Sequence, residues 1–144
     1  FNAAKHIFGA CSAAGLYKRK MLEEIKEKSG YFDERFFFLV EDVDLSWRAK
    51  RRGWETLFYP EAICYHSGNN SNTPKYVRQY LCFRIRYCSM IKNESLKGII
   101  ITSCLSFSYD FTRLFYLLCN NRYILKAIRE IFRFINDEPN YAKY

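Results

Sequence analysis

Three carboxylates stand within four residues at Glu41-Asp42-Val43-Asp44. Like charges this close repel, so their crowding needs a cause. One cause is a helix N-terminus, where each acid in the first turn contributes a few tenths to about one kcal/mol. The other is chemistry. Acidic neighbours raise the proton affinity of a carboxylate, which suits a general base: Asp42 would take the proton of an acceptor hydroxyl as its oxygen attacks carbon, with Glu41 beside it. His66 precedes a Gly/Asn-rich loop. A histidine there is ordinarily a hydrogen-bonded surface or core residue, and its other use is as a metal ligand through one imidazole nitrogen. The step Phe8-Gly9-Ala10 is either plain strand packing or a place where missing side-chain bulk lets a substrate ring approach the backbone.

These residues need elements to hold them. Residues 5–17 read as a strand broken by small residues, with Gly9 and Gly15 marking close approach or a turn. Residues 18–28 place Met21, Leu22 and Ile25 on one face of a short helix that stops at Gly30. The apolar run Phe36 to Val40 suits a strand or a buried turn. Residues 42–52 form a second helix, with Asp42 and Asp44 complementing its positive end, Lys50, Arg51 and Arg52 its negative end, and Gly53 closing it. Trp54 to Tyr59 alternates as a strand does, and Ala62 to Tyr65 reads as another short strand ending at His66. Residues 67–75 are a loop by composition. Beyond it, residues 76–92 and 96–118 are helical, and residues 121–136 set Ile124, Ile128, Phe132 and Ile135 along one stripe against Lys126, Arg129, Glu130 and Arg133.

Apolar residues at 49% and aromatics at 19% exclude a disordered tail. The net charge of +8 is uneven: residues 1–74 carry 11 Lys+Arg against 10 Asp+Glu, residues 75–144 carry 12 against 5. A surplus of +7 in the second part points to an anionic surface, or else is a merely soluble basic face. With no RNA-recognition or finger motif, nucleic acid is not the expected partner; an anionic membrane touched by residues 121–136 is, unless that stripe packs on the chain itself or on a second subunit in a homo-oligomer. No run reaches about 18 uninterrupted apolar residues, so no membrane span is expected. The six cysteines form no CxxC pair and read as reduced, buried thiols of a cytosolic protein rather than a zinc site. A start at Phe1 within an alternating run, with no signal peptide, reads as a cut through a larger protein.

The strings GACSAAGLYKRK, GYFDERFFFLVEDVDLSWRAKRRGW and YPEAICYHSG resemble, in order and spacing over residues 8–68, the distal half of family 2 glycosyltransferases, especially the rhamnosyltransferase-like branch. Tyr80 and Phe83-Arg84 resemble the aromatic-Arg-Asn helix that follows in that family, whose Asn falls at Ile85. The resemblance implies an α/β, Rossmann-like GT-A domain whose distal, acceptor-side half is residues 1–74, followed by a helical, basic extension over residues 75–144. It implies an inverting transfer of a hexosyl or deoxyhexosyl group from a nucleoside diphosphate sugar to a hydroxyl of a glycan or lipid-linked acceptor in polysaccharide biosynthesis. Carried over residue by residue, Asp42 is the base with Glu41 beside it, His66 a contact to divalent Mg²⁺ or Mn²⁺, and Gly9 and Ala10 the acceptor-side wall. Asp44 and Arg48 remain helix electrostatics. The family's aspartate-rich metal motif belongs to its first half, roughly 100 residues by domain size, so this chain is expected not to catalyse by itself. The expected place is the cytoplasm, peripheral on the inner face of the membrane. Two competing readings are a basic binding module without chemistry and a degenerate relative used in assembly.

Overall fold

The computed structural model describes residues 3–36, 38–67 and 72–137. They fall into two compact units, Phe1–Asn72 and Thr73–Tyr144. In the first, the predicted helices form as α1 (Arg19–Ile25) and α2 (Glu41–Arg51). Their apolar faces meet: Met21 and Ile25 bury against Leu45 and Ala49, with Tyr17, Leu22 and Trp54 closing the edges. Gly30 (φ 117°) turns the chain after α1, and Gly53 (φ 81°) ends α2 in the left-handed conformation that carries no Cβ penalty.

Strand content is smaller than the sequence suggests. β1 (Lys5–Ile7) and β2 (Thr56–Phe58) pair antiparallel, with Lys5 opposite Phe58 and Ile7 opposite Thr56. Among the described residues this ribbon is the whole sheet, so the Rossmann-like parallel layer is not what they hold. A two-stranded ribbon is marginal alone, and residues 8–17 do not extend it because the chain bends at Phe8 and then runs along α2. Residues 62–65, expected as a strand, are irregular and exposed; no partner edge pairs with them among the described residues. Phe36 is buried, but Leu39 at φ 87° bars a strand through residues 38–40.

The second unit is a helical array: α3 (Lys75–Asn93), α4 (Leu96–Asn120) and α5 (Ile124–Asp137). Its core joins Phe83, Leu117, Ile124 and Ala127, flanked by Tyr80, Tyr87, Leu114, Ile128 and Ile131. Ser95 caps α4, its Oγ accepting the Gly98 N–H at 3.1 Å. Asn121 fastens the α4–α5 corner: its backbone N–H donates to Leu117 O and its side-chain amide to Tyr76 O, both at 2.8 Å. The stripe read from residues 121–136 is corrected in part. Ile124 and Ile128 pack inward as expected, joined by Ile131, whereas Phe132 and Ile135 are exposed. With 3.6 residues per turn, repeated four-residue steps carry Phe132 off the inward face.

All six cysteines are free thiols, but the expectation that they are buried holds for Cys88 alone. Cys82 is half-buried, and Cys11, Cys64, Cys104 and Cys119 are exposed. Their apolar neighbours, from which burial was inferred, are themselves exposed along α4 (Leu105 82%, Leu118 47%).

Candidate active site at the head of helix α2

The acidic run opens α2. Val40 occupies its N-cap and offers no side-chain cap, leaving Glu41, Asp42 and Asp44 as the acids of the first turn. The first N–H groups of a helix lack internal partners, so negative charge is electrostatically welcome there. The chain enters from Leu39, whose positive φ is a strained conformation for a bulky residue. The two readings of these carboxylates now separate by position.

Asp44 faces inward and is fully buried. The Arg48 guanidinium, one turn on, donates to its Oδ2 at 2.9 Å and also to the carbonyls of Ile25 at 2.6 Å and Tyr31 at 2.7 Å. The pair therefore ties α2 to the end of α1 and to the turn after it. This goes beyond helix electrostatics, and the signal in the sequence was the Asp-x-x-x-Arg spacing, which puts both side chains on one face.

Asp42 faces the segment after β1. The Ser12 backbone N–H donates to its Oδ2 at 3.2 Å. That segment lies along α2 residue by residue. Phe8 meets the Trp47 ring edge-on at 5.9 Å between centroids. Gly9 sits so close to Ser46 that an added Cβ would overlap that side chain. The Tyr17 hydroxyl then holds the loop by donating to the Ala10 carbonyl at 3.3 Å, and it lies 3.4 Å from the Ser12 Oγ. The loop that carries Gly9 and Ala10 thus runs along α2, meeting it at Ser46 through Gly9 and at Asp42 through the Ser12 N–H. Ser12, Tyr17 and Ser46 were missed; only Ser46 left a trace, four residues after Asp42 on the same helix face. Beside Asp42, the Glu41 Oε2 is buried with no hydrogen-bond partner, an acceptor left open to an incoming donor.

A cavity of about 570 Å³ opens between the ribbon and the helices, lined by Gly9, Ala10, Tyr17, Met21, Leu45 and Trp54 among others. Gly9 and Ala10 form part of its wall; Asp42, one turn before Ser46, does not line it. His66 is exposed in the irregular stretch after β2. Among the described residues, no three His, Cys, Asp or Glu side chains converge in a way that could hold a metal ion, so these residues do not by themselves fit one.

The looser part of the resemblance has a structural explanation. Tyr80 donates to Glu130 Oε2 at 2.5 Å, and Arg84 Nε lies 2.8 Å from the same oxygen, joining α3 to α5. Ile85 is fully buried, a place where an amide in the family's position would have to find partners.

A search of curated proteins and one of solved structures each return no match. The family model described as "Glycosyltransferase like family 2" matches residues 1–86. That span takes in all of the first unit and the Tyr80–Arg84 stretch of α3, so this chain belongs to the glycosyltransferase-like family 2.

Proposed function

We propose that the chain forms the acceptor side of a GT-A transferase that moves a hexosyl or deoxyhexosyl group, as the rhamnosyltransferase-like branch does, with inversion. The donor is a nucleoside diphosphate sugar and the acceptor a hydroxyl of a glycan or lipid-linked glycan. The observation that carries the reading is Asp42: a carboxylate at the head of α2, oriented by the Ser12 N–H, beside a backbone segment whose Gly9 lets it lie close against Ser46 of the same helix. In the reaction, the acceptor O–H gives its proton to Asp42 as the oxygen forms a bond to the anomeric carbon. The bond from that carbon to the diphosphate breaks on the opposite face, and the nucleoside diphosphate leaves with the electron pair. Glu41, with its open Oε2, is suited to accept a second hydroxyl of the acceptor and fix its approach. A divalent cation taking part in the transfer would find one imidazole at His66 and would need its other ligands from outside the described residues.

The configuration of the product tests the reading. A single displacement gives a product of inverted anomeric configuration, read by NMR of the newly formed linkage. Retention would exclude a single displacement from the face opposite the diphosphate and would overturn the role given to Asp42.

A further inference from the structure

Helix α4 presents a surface that nothing in the transfer chemistry uses. Over 25 residues it buries only Leu117. Ile100, Leu105, Phe107, Tyr109, Phe111 and Phe115 are each 58–82% exposed. Its two interior charges turn the other way: Asp110 pairs with Arg86 at 3.2 Å, and the Arg113 guanidinium lies 6.0 Å from the Phe83 ring. From Gly98 to Asn120 the outward side of α4 therefore carries no charge. At 3.6 residues per turn, its exposed positions cover roughly two thirds of the circumference. That is wider than the face one packed helix covers; its bulky members are apolar, with only uncharged Ser103, Ser108, Thr112, Asn120 and cysteines among them, a surface suited to an apolar boundary. The described exposed charges of α4, α5 and their corner are Lys97, Arg122, Lys126, Arg129 and Arg133 against the single acid Asp137. On α5 the basic residues alternate with exposed Leu125, Phe132 and Ile135, the mixture found on surfaces that lie at a lipid headgroup boundary.

We propose that α4 and the outer face of α5 form a docking surface for an anionic lipid bilayer. α4 lies along the membrane plane with its uncharged side in the acyl boundary, and the basic residues of α5 meet the headgroups. Among the described residues no helix is long and apolar enough to cross a membrane, which fits a helix lying in the interface rather than through it. The surface rests on α4, not on the Ile124–Ile128 stripe, which is spent on the core. It stands independently of the role of Asp42.

Co-sedimentation of the chain with vesicles of phosphatidylcholine alone, and of phosphatidylcholine mixed with phosphatidylglycerol, tests it at low and high salt. Binding to the mixed vesicles only, weakened by salt, is the expected result. Arg129→Glu/Arg133→Glu should weaken it about fivefold or more per residue, and Leu105→Asp/Phe111→Asp about tenfold or more. These positions are exposed, and unchanged circular dichroism would show that the variants fold. Equal binding to both vesicle types, or none to either, overturns the proposal. So does a dimer in solution that Leu105→Asp/Phe111→Asp dissociates while vesicle binding stays unaltered, since α4 would then be a contact between copies.

Discussion

Replacing Arg48 with Met separates the architecture of the acidic helix from its chemistry. The guanidinium donates three hydrogen bonds, to Asp44 Oδ2, Ile25 O and Tyr31 O, and sits 3.8 Å from Glu27 Oε1. Methionine keeps the apolar stem and removes all of them. Asp44 is fully buried, and removing one partner of a buried ion pair costs about 3–5 kcal/mol, because the remaining charge loses its counter-ion in a poorly polarisable site. The double variant Asp44→Leu/Arg48→Met removes that charge and should regain part of the loss, the remainder reflecting the two backbone carbonyls stripped of a charged donor. Urea unfolding followed by tryptophan fluorescence reads the right unit, since both tryptophans, Trp47 and Trp54, lie in it. A single-variant loss below about 1 kcal/mol, or a double variant no more stable than Arg48→Met, would refute the reasoning.

Gly9→Ala should destabilise the first unit by about 1–3 kcal/mol, because the new Cβ overlaps Ser46 and lifts the loop off α2; turnover should fall with it as Ser12 leaves Asp42, and restoration by Ser46→Gly would confirm the contact. Burial, followed by the hydrogen bond to Glu130, pushes the Tyr80 phenol up to about 12. The fold therefore keeps the proton longer than the unfolded chain does, so this stability is intact below pH 10 and fades as pH rises from there toward 12. In a series of urea titrations, Tyr80→Phe should flatten that part of the pH dependence. His66→Ala in the intact enzyme should raise the Mg²⁺ or Mn²⁺ concentration needed for half-maximal turnover; an activity loss with unchanged metal dependence would assign His66 to substrate or fold.

Helices were the legible part of this chain. Met21, Leu22 and Ile25 announced α1 through their spacing, and the acids, the basic run and Gly53 bracketed α2 within a residue of its bounds, because these signals act within one turn. Strands were less legible. The short apolar run of residues 62–65 becomes a strand only where an edge pairs with it, and composition says nothing about where that edge is. The same limit hid the Arg48 clamp, whose acceptors Ile25 and Tyr31 lie 23 and 17 residues away, and the Ser12 N–H, which reaches Asp42 across 30. A backbone donor has no side-chain signature to find. The acidic run and the small-residue step drew notice to Asp42, Gly9 and Ala10, but by themselves they suit a helix cap and strand packing as well; their site roles came from the resemblance to family 2 transferases.

The most direct test of the account is the turnover of Asp42→Asn in the intact enzyme, with nucleotide-sugar donor and acceptor both saturating. Asparagine keeps the size and can still accept from the Ser12 N–H, so stability and donor binding should hold while the proton acceptor is gone. Loss of a general base costs about 10²–10⁴-fold, and a fall of that size with unchanged donor affinity is the predicted result. Near-normal turnover in a folded Asp42→Asn enzyme would contradict it.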